Sequence, residues 1–394
     1  MPSPFFTPDH ELYRATVREF TKREIVPHQE SWEEQRLIDR SVWRAAGQAG
    51  IIGLGIPEEY GGAGEPDYRY RLVVAEETSA TSSASFNVSI TTQDDLVLPY
   101  LLDLATHEQK LRWLPGMTTG EIVGAIAMTE PDAGSDLQGI RTNAVRDGEG
   151  WILNGQKTFI SNGIVSDVVI VVTRTSEDAG SRSFSLFVVE RDMPGFERGR
   201  KLDKLGLPAQ DTAELFFNNV RLTEENLLGE EGKGFAYLME RLPKERVSIA
   251  VGALTSSEAA LSWTLDYVFD RRAFGKRIGD FQNTRFEIAG METELDVTRA
   301  YIERCILNLN DGTLTTIDAS KAKWWATELQ QRVITRCLQL FGGYGYMNEY
   351  PIARAFKDAR IQTLYGGTTE IMKEMIGRDI AGRYRMGESS VRAQ

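Results

Sequence analysis

The chain has 394 residues, 41% hydrophobic and 26% charged, long enough for two or three globular cores. A net charge of −12 argues against nucleic acid as a partner, and no apolar run nears the ~20 residues that cross a bilayer. The opening Met1-Pro-Ser-Pro stretch has neither a basic n-region nor an Arg-rich amphipathic leader, so the expectation is a cytoplasmic protein. Cys305 and Cys337 lack CxxC spacing and read as reduced core thiols. The histidines, His10, His28 and His107, lie far apart without metal-ligand or nucleophile patterns around them. The pattern argues against zinc chemistry and Ser-His-Asp hydrolysis, no metal is expected, and a carboxylate is the base to look for.

Apolar residues at three-to-four spacing predict a helix over 11–26, carried by Leu12, Tyr13, Val17, Phe20 and Ile25. Shorter helices are expected over 41–49, 69–80, 95–104 and 108–117, with a Gly- and Pro-rich loop at 56–64. The character changes near 122. β-branched apolar runs at 168–173 and 184–190 predict strands, Asn154-Gly155 carries a hairpin signal, and 214–222 reads as strand, turn, strand. Helical periods return over 240–270, 281–308, 316–341 and 365–382. The expectation is an α+β multidomain protein: an N-terminal helical domain over 1–121, a middle β domain over 122–232 and a C-terminal helical bundle over 233–394.

Six strings stand out chemically. The loop Met128-Thr-Glu-Pro-Asp-Ala-Gly-Ser-Asp136 offers backbone N–H groups and hydroxyls to a polar ring edge or a phosphate, or is an ordinary structured loop. Phe159 and Ser161, two residues apart, share one face of a strand, where they either pack in a sheet or meet a planar ring. Asp270-Arg-Arg-Ala-Phe-Gly-Lys-Arg277 has four cations in eight residues, a solvated surface or a holder for a diphosphate. The Gly-rich breaks Gln339–Tyr346 and Tyr365–Glu370 either stop helices or let a ligand approach the backbone. In Leu242-Pro-Lys-Glu-Arg-Val, Pro243 predicts a helix start, with Glu245 in a first turn where the dipole favours a carboxylate.

Together these strings resemble the acyl-CoA dehydrogenases, flavoenzymes that desaturate acyl thioesters, and the long-chain branch in particular, over about residues 7–384. The resemblance implies a helical N-terminal domain, a middle β-barrel or sandwich, a C-terminal four-helix bundle, and FAD as cofactor. It implies that Met128 and Thr129 face the flavin ring, and that Ser135 touches both flavin and acyl-CoA. Phe159 and Ser161 match cofactor contacts that are commonly Trp and Thr in the family. Arg271, Phe274 and Gln282 match residues that reach the flavin diphosphate of a neighbouring subunit, which implies a homotetramer. Gln339, Gly342 and Gly343 match contacts to the adenosine-diphosphate portion. Thr368 and Glu370 match contacts to the flavin nucleotide, although many relatives have Gln at the latter position.

Most of that family carries its catalytic glutamate where Gly366 stands, and a minority carries it where Glu245 stands. By this match Glu245 takes the α-proton, while Gly366 keeps the backbone N–H that polarises the thioester carbonyl. Arg246 and Tyr365 line the substrate site, and Arg246 orders this region or the CoA end. Removing a weakly acidic α-proton needs a positioned base, and burial should lift a carboxylate from ~4.3 toward neutrality. The implied product is a trans-2-enoyl-CoA, with the β-hydride going to flavin N5 and electrons leaving to an electron-transfer flavoprotein. Three alternatives stay open: an oxygen-using oxidase or monooxygenase of the same fold, an acyl-carrier-protein-linked dehydrogenase, and a flavin-binding scaffold without catalysis.

Overall fold

The computed structural model describes residues 5–176 and 183–385. They group into two compact units, one holding Pro8–Thr78 and Ser85–Arg241, the other residues 5–7, Ser79–Ala84 and residues 242–385.

The first unit begins with helices α1 (Pro8–Phe20), α2 (Gln29–Gln35), α3 (Arg40–Gln48), α4 (Arg69–Ala80), α5 (Ala84–Thr91), α6 (Leu98–Leu104) and α7 (His107–Thr119). Trp43 and Trp113 are fully enclosed, and of the stripe expected over 11–26 Val17, Phe20 and Ile25 are buried, whereas Tyr13 is half-buried and Leu12 is 73% exposed, because the helix meets the core on one narrow side only. A π-helical turn, Thr92–Val97, links α5 to α6 where one helix from 95 was expected. α7 starts at a capping box: Thr106 accepts from the Gln109 backbone N–H, and the Gln109 side chain accepts in return.

An eight-stranded sheet follows: β1 (Gly124–Ala127), β2 (Asn143–Asp147), β3 (Gly150–Ser161), β4 (Val168–Arg174), β5 (Phe184–Glu190), β6 (Phe196–Lys201), β7 (Thr212–Leu222) and β8 (Leu227–Leu228). The strand order is β6-β7-β3-β2-β4-β5-β8, with β1 running parallel to β4. β4 is apolar along almost its whole length because both its faces are covered. Val168, Ile170 and Val172 pack with Leu98, Leu101, Trp113 and Leu114 of the helices. Val169 and Val171 point the other way, into a core shared with Trp151, Phe187, Phe217 and Leu215, so the sheet curls around its own interior.

Two expectations fail here for one reason. Asn154-Gly155 is no hairpin turn: β3 runs straight through it, and the β2–β3 hairpin closes at Asp147–Gly150. β7 likewise runs unbroken through Asn218-Asn219. The two sites face each other across a register shift between Leu153 and Gly155, and Asn219 takes φ 52°. The Asn and Gly residues serve a bulge, which needs the same backbone freedom as a turn.

The second unit is helical: α8 (Gly234–Asp270, from Leu242), α9 (Gln282–Asn310), α10 (Thr316–Phe341), α11 (Pro351–Ala359) and α12 (Thr369–Arg385). Their buried faces carry Val247 and Leu254, then Met291 and Ile302, then Val333 and Ile334, then Met372 and Ile376. Cys305 and Cys337 are free buried thiols, and no metal-binding cluster exists among the described residues. No described helix is long and apolar enough to cross a membrane.

Pro243 does not start a helix. α8 continues from Gly234 to Asp270, so Pro243 is interior and Glu245 lies mid-helix. An interior proline forgoes the bond to the carbonyl four residues back, here Met239, at a cost of ~3 kcal/mol. Burial of Leu238, Val247, Ala250 and Val251 on the same helix offsets that loss. The first-turn dipole reading of Glu245 falls with it, because the macrodipole acts within the terminal turns.

Candidate active site

Glu245 is 4% exposed and its neighbour Arg246 also 4% exposed, both inside α8. Arg246 donates through Nη1 to Ser320 Oγ at 3.3 Å, and Ser320 in turn donates to the Thr316 carbonyl. Its Nε is buried with no hydrogen-bond partner, a spare donor for a ligand oxygen. Burial pulls the guanidinium below its ordinary range, and the Glu245 carboxylate opposes that shift.

One turn beyond Glu245 on the same helix face is Ile249, also buried. Its Cδ1 lies 2.3 Å from where a Cβ on Gly366 would be. Ile249 thus places Gly366 against the helix face that carries Glu245, joining the two positions singled out in the sequence. Gly366 and Gly367 both adopt left-handed backbone, φ 63° and 94°. Lys323, fully buried on α10, donates to the Gly367 carbonyl at 2.7 Å and so holds the turn. Burial pulls Lys323 down to about 8, with the Arg246 charge adding to the shift and Glu328 and Glu370 opposing it. Tyr365 donates to Gln362 Oε1 at 2.8 Å, and burial raises its phenol.

The Gly-rich turn runs into α12. Thr368 Oγ1 accepts from the Ile371 N–H, and Thr369 donates to Glu328. Glu370 is exposed; N–H and hydroxyl bonding, its own backbone first and Thr368 second, holds its carboxyl below the usual range. The other Gly-rich break lines a cleft of about 530 Å³ with Gln339, Gly342, Gly343, Tyr267 and Arg271. A Cβ on Gly342 or Gly343 would meet no atom within 4 Å, so the backbone is open to a ligand. Arg271 lies over the Tyr344 ring. The basic string after it forms a two-strand hairpin, Arg272–Ala273 with Lys276–Arg277. Phe274 and Gly275 at its tip both take positive φ, as a type I′ turn demands. Phe274 is 95% exposed there, and Gln282, starting α9, is exposed too.

Met128, Thr129, Ser135, Phe159 and Ser161 belong to the other unit. Thr129 and the end of β3 are joined: the Thr158 N–H donates to the Thr129 carbonyl at 2.9 Å. Met128 and Thr129 are half-buried and Ser135 is exposed. Phe159 is 68% exposed at φ 60°, inside a register shift of β3 between Lys157 and Ile160, while Ile160 is buried and Ser161 half-buried, so regular strand alternation does not hold across this pair.

Sequence reasoning missed the buried groups beneath these loops. Lys157 Nζ donates to the Met128 carbonyl and to Glu130 Oε1, each at 2.9 Å. Glu130 also accepts from the backbone N–H groups of Arg141 and Thr142. This pair ties the 128–142 loop to β3 from inside. A signal existed: Lys157 and Lys323 occupy core-facing positions of their strand and helix, where a charge needs a reason.

Three family models match: "Acyl-CoA dehydrogenase, N-terminal domain" over 7–121, "middle domain" over 125–220 and "C-terminal domain" over 232–381. The chain is 48% identical over 378 residues to the mitochondrial long-chain specific acyl-CoA dehydrogenase of Sus scrofa, covering 95% of this chain and 87% of that protein. A solved acyl-CoA dehydrogenase from Geobacillus kaustophilus superposes with TM-score 0.93 at 46% identity, covering 96% of this chain and 99% of that one. A glutaryl-CoA dehydrogenase from Mycobacterium smegmatis in complex with FADH2 superposes at 0.90 with 29% identity, covering 97% and 96%.

Proposed function

The chain belongs to the acyl-CoA dehydrogenase family of FAD-dependent oxidoreductases, and from that premise we propose a specific α,β-desaturation of acyl-CoA thioesters, with Glu245 as the base. The observation that carries the reading is the coupling of Glu245 to Gly366 through Ile249. A buried carboxylate stands one turn from the residue that packs on the side-chain-free turn.

The residues fit FAD. On the first unit Phe159 offers an uncovered ring; on the second, taken by itself, the Gln339–Gly343 cleft offers open backbone and the Arg271 guanidinium to a diphosphate. Within the first unit Met128, Thr129 and Ser135 offer backbone and hydroxyl groups of the kind a flavin takes, and within the second unit, taken by itself, Thr368 and Glu370 do so too. When bound, FAD accepts the hydride that leaves Cβ. Glu245 takes the proton from Cα. The Gly366 N–H donates to the thioester carbonyl and stabilises the charge that gathers there. Arg246, anchored on Ser320 and with an unused Nε, orders this part of the helix or the CoA end of the substrate.

Phe274, held in left-handed backbone at 95% exposure, is a costly arrangement for an isolated chain. With Arg271 and Gln282 it supports a cofactor site shared between subunits, and a homotetramer. The reduced cofactor must be reoxidised, for which an electron-transfer flavoprotein is the proposed partner. Long straight acyl chains are the proposed substrate class, on the strength of the identity to the pig long-chain protein.

The test is anaerobic single-turnover reduction of the flavin by a panel of esters from butyryl- to palmitoyl-CoA. Glu245→Gln should retain FAD and acyl-CoA yet reduce the flavin ~10³-fold more slowly. Near-native reduction in that variant refutes the base. Peroxide release in air that keeps pace with substrate use would instead support the oxidase.

A further inference from the structure

We propose that Ile249 commits this site to Glu245: its side chain fills the volume beside Gly366 and denies that position a carboxylate. The inference rests on the reading of Glu245 as base. A Cβ on Gly366 would lie 2.3 Å from Ile249 Cδ1 and 3.8 Å from its Cγ1, and would meet no other atom within 4 Å outside the flanking residues. The obstacle is therefore one side chain, with open space around it.

The contact is with the end of the Ile249 side chain, whose χ1 is stiff in the helix because the residue is β-branched, so that only rotation about χ2 can move Cδ1; at 8% exposure the side chain is packed on most sides. The turn is held by Lys323, whose ammonium donates to the Gly367 carbonyl at 2.7 Å. Gly367 makes a useful contrast. A Cβ there would meet Met372 Cε at 2.6 Å, the end of a flexible chain that can swing away. Left-handed backbone at Gly366, φ 63°, disfavours any L side chain but does not forbid one. Since Ile249 and Glu245 are four residues apart on α8, the helix that brings the base also brings the plug. A base at 245 and a bulky residue at 249 are then one arrangement, and a base at 366 with a small residue at 249 is the other.

Full-length, FAD-loaded variants test this by anaerobic flavin reduction, with flavin absorbance and melting temperature recorded for each. Glu245→Gln supplies the baseline. Adding Gly366→Glu should leave the rate within about threefold of it, and adding Ile249→Ala to that pair should raise it at least about tenfold. Gly366→Gln in place of Gly366→Glu in the triple variant should give no gain, which separates a carboxylate from a mere cavity. If the pair recovers as much as the triple, or the folded, flavin-loaded triple stays at baseline, Ile249 is not the determinant. A Glu245→Gln enzyme at wild-type rate is a different failure and removes the base itself. A second measurement covers variants too weak to assay: Gly366→Ala should lower the melting temperature more in the native background than beside Ile249→Ala. Equal losses in both backgrounds would overturn the proposal.

Discussion

Lys157→Met keeps the length of the side chain and removes the ammonium beneath the 128–142 loop. Glu130, 6% exposed, then keeps its two backbone N–H donors, from Arg141 at 2.7 Å and Thr142 at 2.9 Å, but loses its counter-charge. The Met128 carbonyl loses a donor as well. Removing one partner of a buried pair costs ~3–5 kcal/mol. The two surviving donors put this case at the lower end, ~3 kcal/mol, or a fall of ~6–12 °C in melting temperature. Adding Glu130→Gln should restore part of the loss, because no unpaired charge then remains.

The pH dependence has a definite sign. Burial pulls Lys157 down to about 8, since a single carboxylate opposes it. In the unfolded chain the same amine titrates near ~10.4. Below about 8 both states hold the proton, and folding carries the full desolvation penalty. Between the two values the unfolded chain binds more protons, so wild-type stability rises with pH. Glu130 works at the acid end. Burial raises its pKa, but the Lys157 charge and the Thr142 and Arg141 donors outweigh that and hold it below 4.5. Its contribution is therefore present at neutral pH and lost as pH falls through the folded value. Urea unfolding of holoenzyme and variant at pH 7 and pH 10, followed by circular dichroism, reads both effects. Matching midpoints at pH 7, or an alkaline gain that survives in Lys157→Met, would refute the reasoning.

Lys323→Met should free the Gly367 carbonyl and loosen the turn that presents the Gly366 N–H. Flavin reduction is expected to slow ~10–100-fold with flavin retained, and an unchanged single-turnover rate counts against that role. Phe274→Ala touches no core, as the ring is 95% exposed, so the melting temperature of the isolated chain should hardly move. It should instead weaken FAD retention on dialysis and subunit assembly, seen by absorbance and by light scattering; a flavin-replete tetramer would oppose the shared site. Gly120→Ala should unfold the first unit, since φ is 74° and a Cβ would lie 2.0 Å from the Trp43 carbonyl oxygen, and a native melting curve there would be incompatible with this packing.

The legible part of this protein is what short strings can state. Helical periods along 316–341 and an apolar run at 168–173 describe faces, and a face is a property of neighbours in the chain. The pair Glu245 and Gly366 was legible because a missing carboxylate in one motif and a present one in another are both local facts. Other features depended on what lies opposite. Pro243 spells a helix start by itself, yet packing on both sides carries α8 through it. Asn154-Gly155 spells a turn, yet β7 pairs along its whole length and makes it a bulge. No string says that Ile249 meets Gly366 or that Lys157 reaches Glu130 and Met128, because those contacts join segments far apart in the chain. Sequence alone settled which groups are available to the chemistry. Tertiary packing settled which of them are buried, paired and aimed, since desolvation and steric exclusion exist only between surfaces that the fold has brought together.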